Sequence, residues 1–167
     1  MQYIQIVNTP LGQMTLLSDD QFLLGSWFEG QNHFGGKYDL SSAIVADTPI
    51  LQKAKQWLSA YFAGKQPDDK QLLIRINGTD FQKKVLRALQ QVPYGQPVTY
   101  KQICYMITND ELQANKLSRA VGNAIGKNPF VVFIPCHRVL GSNGSLTGYA
   151  AGIERKRALL TLEKVTF

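Results

Sequence analysis

The stretch "VTYKQICYMITNDELQANKLSRAVGNAIG", Val98 to Gly126, decides how this chain is read. Thr99 followed three residues later by Gln102 has the capping-box spacing, in which a hydroxyl and a side-chain amide satisfy each other's backbone N–H groups, so a helix starts here. Tyr100, Ile103, Cys104 and Ile107 share one stripe of that helix, which makes Cys104 a packed structural thiol. After the turn residues "TND" a second helix is expected from about Gln113 to Ile125, with Leu117, Ala120, Val121 and Ala124 on its buried stripe. Its other face carries Asn115, Arg119, Gly122, Asn123 and Gly126. A glycine inside a helix is roughly 1 kcal/mol worse than alanine, so two on one exposed face call for a reason, such as close approach of another backbone. A short helix, a turn and a second helix with a small, basic outer face is the layout of a helix-turn-helix; two ordinary core helices give the same pattern, and the spacing alone leaves both open.

Upstream, Thr79 and Gln82 repeat the capping signature, and Phe81, Val85, Leu89 and Val92 form the apolar face of a helix that "VPYGQP" ends. "NGTD", Asn77 to Asp80, is the natural boundary before it, dividing the chain into residues 1–78 and 79–167. The first part reads as α/β. "YIQIV", "QMTLL" and "FLLGSWF" suggest an antiparallel meander, "LQKAKQWLSAYF" has helical spacing and ends at Ala63-Gly64, and "QLLIRI" reads as a further strand. The second part is mainly helical and closes on a helix from Ile153 to Lys164 with Leu159 and Leu160 inward.

Of 167 residues, 44% are hydrophobic and 18% charged, an ordinary globular composition. The N-terminus has no basic region followed by a long apolar run, and no segment approaches the ~20 apolar residues of a membrane span, so the cytoplasm is expected. The net charge of +6 is uneven: residues 1–78 hold 6 Lys+Arg against 7 Asp+Glu, and residues 79–167 hold 12 against 5. That asymmetry suggests a polyanion partner for the second part, although by charge alone a solvated basic surface is the preferred reading. Two cysteines and two histidines without C-x-x-C or H-x-x-x-H spacing give no reason to expect a metal, and no cofactor motif is present.

Downstream lies "FIPCHRVLGSNGSLTGYA", Phe133 to Ala150, in which Cys136 follows a proline and precedes His137 and Arg138. A thiol attacks only as its thiolate, and a nearby imidazole can take its proton. Adjacent residues of an extended chain point to opposite sides, so Cys136 and His137 cooperate only if the chain turns there or through a water. The imidazole needs a group on its other nitrogen, and Glu163, at the core edge of the last helix, is the best-placed acid. "SNGSL" holds an Asn-Gly turn, a hairpin signal for Gly141 to Tyr149.

From Phe81 to Glu163, with "VPYGQPVTYKQI", "RAVGNAIGKNPF", "IPCHRV" and "GSNGSLTGYAAGIERKRALLTLE" in this order and spacing, the chain closely resembles the O6-alkylguanine-DNA alkyltransferases, single-turnover DNA repair proteins. The resemblance implies an α/β N-terminal domain with a ribonuclease-H-like antiparallel sheet, and a C-terminal domain with a winged-helix-like helix-turn-helix. It implies that Cys136 accepts the alkyl group from guanine O6, or from O4-alkylthymine, and keeps it as a thioether. His137 matches the water-mediated base and Glu163 the carboxylate that orients it. Tyr100 and Lys156 match the groups that help the guanine leave, and Asn128 in "KNP" the hinge asparagine. Arg119 is similar to the arginine finger that fills the gap left by a flipped nucleotide, with Ala120, Gly122, Asn123 and Tyr100 also against double-stranded DNA. Val139, Tyr149 and Ala150 occupy the positions whose backbone reads the base, and the resemblance implies that Gly141 to Tyr149 folds over an extruded base as one wall of its pocket. A monomer is implied, with cooperative assembly on DNA left open.

Departures stand beside this. "ITNDELQANKLS" lacks the Gly-Asn-Pro or Gly-Arg-Pro often found in that turn, Asn123 replaces a smaller residue, and the zinc ligands of some relatives have no counterparts. A non-catalytic binder of alkylated DNA, of the alkyltransferase-like type, would replace the acceptor cysteine that is present here. A cysteine hydrolase would usually draw its Cys and His from separate segments.

Overall fold

Strand formation begins with a tight hairpin. Tyr3–Thr9 (β1) pairs antiparallel with Gly12–Ser18 (β2), Thr9 facing Gly12, and the two-residue loop is tied by the Thr9 hydroxyl, which donates to Gly12 O at 2.7 Å and accepts from Leu11 N at 3.1 Å. Leu23–Phe28 (β3) pairs antiparallel with β2 through a register shift at Leu17/Ser18, which completes the expected meander. A short strand absent from the sequence reading, Ile44–Val45 (β4), pairs parallel with β1, giving the order β3-β2-β1-β4. The structure, a computed structural model, describes residues 1–167 and divides into two compact units.

The first unit is Met1–Ile76 with Pro129–Phe133. This differs from a linear cut at Gly78, because five residues far along the chain dock on β3: Ser26 N donates to Pro129 O at 2.8 Å and Ser26 Oγ to Val131 O at 2.9 Å. The helix Pro49–Phe62 (α1) starts two residues before its apolar stripe because Thr48 caps it and Pro49 fits the first helical position. Its inward residues Leu51, Ala54, Trp57, Leu58 and Tyr61 are buried, and Trp57 lies 4.9 Å from the Phe133 ring. From Met14 through Ser18 and from Leu23 through Phe28 every residue is buried, so β2 and β3 are covered on both faces. Tyr38, Leu40 and Ala43 from the looser stretch after β3 cover Leu17, Leu24 and Trp27. "QLLIRI" does not form the expected strand: Ile74 makes one bridge to Leu23, between Leu73 O and Arg75 N, and the segment stays extended without a ladder.

The second unit is Asn77–Asn128 with Ile134–Phe167. Both capping boxes form, Thr79–Gln82 at the head of Asp80–Gln90 (α2) and Thr99–Gln102 at the head of Tyr100–Ile107 (α3). The next helix, Glu111–Gly126 (α4), begins two residues earlier than its stripe suggests, because Asp110 caps it by accepting from Leu112 N at 2.9 Å. Thr108 Oγ1 in turn accepts from Asp110 N, so side-chain caps do in this three-residue turn what glycine and proline do in others. The buried stripe of α4 is Ala114, Val121, Ala124 and Ile125; Ala120, expected inside, is exposed, because the stripe drifts round the helix by one position. Val98–Thr99 (β5) pairs parallel with Val139–Leu140 (β6), and Ile153–Leu162 (α5) closes the unit with Leu159 and Leu160 buried.

Gly25 in β3 lies under the Trp27 indole, where any Cβ would overlap the ring. Gly25→Ala is therefore expected to push Trp27 from its seat against Leu17 and Leu24 and to destabilise the protein by about 1–3 kcal/mol, read by denaturant unfolding followed through tryptophan fluorescence.

Candidate active site

The segment that carries the two reactive-looking residues runs buried without a break from Val131 to Leu140. Val132 holds φ +74°, a left-handed conformation that a β-branched residue adopts only at a cost of about 1–3 kcal/mol when its surroundings impose it. After the turn residues Val131 to Phe133 and Pro135, Cys136–Arg138 makes one 3₁₀ turn closed by Arg138 N to Pro135 O at 3.1 Å. The chain thus turns where cooperation between Cys136 and His137 requires it.

Cys136 is 2% exposed. Asn128, buried just after the C-cap of α4, donates from Nδ2 to Cys136 Sγ at 3.1 Å and to Ile134 O at 2.9 Å, so one amide fixes both the thiol and the backbone before it. Burial pushes the Cys136 thiol up to about 11, against the smaller opposing effects of the Asn128 hydrogen bond and the Lys156 charge. The resting group is a thiol.

His137 is fully buried, with Nε2 2.7 Å from Glu163 Oε2. An ionised carboxylate only accepts, so the proton of the neutral imidazole sits on Nε2 and Nδ1 is the basic nitrogen. Burial holds His137 below its ordinary value, although the Glu163 hydrogen bond and charge pull the other way.

Glu163, the C-cap residue of α5, is likewise buried. Besides His137, its carboxylate accepts from Arg138 Nε at 2.7 Å, from Arg138 Nη2 at 3.1 Å and from Gly95 N at 2.9 Å. Burial alone would raise it; the hydrogen bonds and charge of its partners outweigh that and hold it well below the usual carboxylate range. Gly95, at φ +74°, sits in the "VPYGQP" turn so close that a Cβ there would lie 3.3 Å from Glu163 O. Arg138 completes its fork by donating Nη1 to Val92 O at 2.8 Å.

Lys156 is fully buried on α5, and its ammonium donates to Val139 O at 2.6 Å and Thr147 O at 2.9 Å. Burial lowers it to about 8. It therefore pins the 141–150 loop to β6. The Thr147 hydroxyl donates to Tyr100 Oη at 3.2 Å, which joins the first residue of α3 to the same loop. Val139 and Tyr149 are buried, Ala150 is half-buried, and the Tyr149 ring meets His137 edge-on at 6.4 Å. The Asn143-Gly144 turn forms, closed by Gly144 N to Gly141 O and Gly141 N to Ser145 O, but no strand ladder continues from it, so the wall is a tied loop and not the expected hairpin.

On α4, Arg119, Ala120 and Asn123 are exposed and Gly122 is half-buried, and a Cβ at Gly122 or Gly126 would meet no atom within 4 Å. Packing within the chain does not account for these glycines. Sequence reasoning missed Arg138, Gly95 and Thr147 as parts of the site. A signal for Arg138 existed, since a core carboxylate shared with one neutral imidazole needs a further partner.

Residues 80–165 match the family described as 6-O-methylguanine DNA methyltransferase, DNA binding domain. A methylated-DNA–protein-cysteine methyltransferase of Methanosarcina acetivorans is 39% identical over 164 residues, covering 96% of this chain and 97% of that protein. A constitutive one of Bacillus subtilis is 34% identical, covering 100% and 98%. The crystal structure of Mycobacterium tuberculosis OGT in complex with DNA superimposes with a TM-score of 0.83 at 36% identity, over 97% of this chain and 92% of that one. With the full length aligned at this identity, the chain belongs to the methylated-DNA–protein-cysteine methyltransferase family.

Proposed function

We propose that this protein repairs double-stranded DNA by moving the alkyl group of O6-alkylguanine onto Cys136, once per molecule and acting as a monomer. The observation that carries this reading is Cys136, buried beside Asn128 and next to the His137–Glu163 pair, in a chain of this family. In our reading the Cys136 proton passes through a water to His137 Nδ1. The sulfur attacks the alkyl carbon, the C–O6 bond breaks, and its electron pair stays on the guanine, which takes up a proton from Tyr100 or Lys156. A thioether has no disulfide sulfur to exchange, so the protein is consumed.

The guanine O6 lies within the base stack, so a thiol enclosed as Cys136 is reaches the carbon behind it only if the base is flipped out. We assign α3 and α4 as the helix-turn-helix of a winged-helix-like domain. The exposed Arg119 enters the gap, and Ala120, Gly122 and Asn123 lie against the minor groove, whose narrowness excludes bulk. Val139, Tyr149 and Ala150 line the flipped base, and the four-stranded sheet is of ribonuclease-H type.

Incubation with a duplex containing O6-methylguanine should leave a methyl group on Cys136, located by peptide mass mapping, and restore guanine. Tight binding with an unmodified protein would instead favour a non-catalytic damage binder. Cys136→Ser should bind the duplex and transfer nothing.

The pH dependence follows from the raised thiol. With Cys136 near 11, an unassisted thiol is almost wholly protonated at neutral pH, and its thiolate fraction climbs about tenfold per unit below that value. His137→Ala should therefore slow transfer by about 10²- to 10⁴-fold at neutral pH and make the single-turnover rate rise steeply with pH, where the wild-type rate stays flat.

The open space over Gly122 separates fold from binding. Gly122→Leu should keep or raise the melting temperature, since leucine is the better helix former, and weaken duplex affinity at least about tenfold in a fluorescence-anisotropy titration.

A further inference from the structure

The sequence singled out His137 and Glu163, and the structure adds a guanidinium bonded to the same carboxylate. We propose that Arg138 is a positioning residue which, by neutralising Glu163 inside the core, keeps His137 an uncharged base able to accept the Cys136 proton. The inference rests on the reading of His137 as proton acceptor given above.

A buried carboxylate with an imidazole as its sole partner pulls that imidazole toward a carboxylate–imidazolium pair, against the burial cost that favours the neutral ring. An imidazolium cannot take a second proton, so such a pair would disable the relay. Arg138 changes that balance. Its guanidinium brings a cation on a side chain only 9% exposed, and grips Glu163 with two hydrogen bonds of 2.7 and 3.1 Å. Val92 O accepts its remaining fork at 2.8 Å, and the Tyr94 ring lies 5.6 Å from its Cζ, so the group has a fixed seat and not a surface position.

The charges around His137 come from every side. Glu163 faces it from the end of α5, Arg138 from the next residue, Lys156 from the first turns of α5, and Cys136 from the preceding residue, with the Tyr149 ring edge-on from the loop. Two cations already oppose one carboxylate. A proton on His137 would add a third positive charge in a dry site, and Gly95 N, donating to the same carboxylate, further satisfies Glu163 without it. The direction of the His137 titration agrees, burial first and then the charges of Arg138 and Lys156 holding it down against the pull of Glu163.

The test follows the His137 ring nitrogens by ¹⁵N NMR in the unalkylated protein, with exposed His33 as the reference signal, beside single-turnover transfer rates from about pH 6 to about pH 9. In the wild type, His137 should stay neutral with its proton on Nε2, and the rate should be flat. Arg138→Met should raise the His137 titration past neutral pH, lower the rate at neutral pH about tenfold and restore it toward alkaline pH. Arg138→Lys, which keeps the charge and loses the fork, should stay near wild type in both. A purely structural arginine would lower the rate by one factor at every pH. The proposal is overturned by an imidazolium at His137 in the wild type at neutral pH, by an unchanged titration in Arg138→Met, or by Arg138→Lys shifting as far as Met. Should the Met variant not fold, the wild-type signal and the Lys variant decide. If the wild type transfers nothing to Cys136, the repair reading fails, while the histidine titration still supports or overturns the role of Arg138.

Discussion

The buried carboxylate of Glu163 is the constraint on which the second unit depends. Moving a carboxylate out of water is expensive, and removing one partner of a buried ion pair typically destabilises by about 3–5 kcal/mol, because the other charge is left without compensation. Here four hydrogen bonds from Gly95, His137 and Arg138 converge on two oxygens. The donors come from the turn after α2 and from the acceptor segment, and the carboxylate from the end of α5. One charge therefore holds three stretches of chain in register, and Leu140, Leu160 and Val165 close an apolar cluster beside it.

The same burial keeps the site in its resting state. Cys136 holds its proton, His137 is neutral, and Lys156 is spent on two carbonyls of the loop and β6. A site so arranged is a poor general thiol reagent, since burial keeps its thiolate scarce. That suits a protein whose acceptor is used once: reaction with the wrong electrophile would waste the whole molecule. The strained φ of Val132 and the Asn128 bridge between Cys136 and Ile134 lie on the chain just before this acceptor, so its placement is held by backbone as well as by side chains.

The α4 surface obeys another rule. Its glycines face open space, and Arg119, Ala120 and Asn123 beside them are exposed. Helix stability would favour larger residues at Gly122 and Gly126. What argues for glycine there is approach from outside, which fits a helix laid against a nucleic-acid groove.

What the sequence determined by itself was local. The two capping boxes, the meander, the helical stripes and the set Cys136, His137, Glu163 were legible because each rests on contacts within a few residues or on motif order. Where the pattern was ambiguous, reading erred: "QLLIRI" alternates like a strand but finds only one bridging partner, and Asn143-Gly144 turns the chain without neighbours to extend a hairpin. Tertiary structure alone decided that Pro129–Phe133 docks with the first unit, that Ala120 faces out, and that Gly95 and Arg138 complete the Glu163 cage from 68 and 25 residues away. The reason is physical: a side chain's local preferences are written within a turn of its own position, whereas the partners of a buried charge are fixed only when distant segments pack and exclude water together.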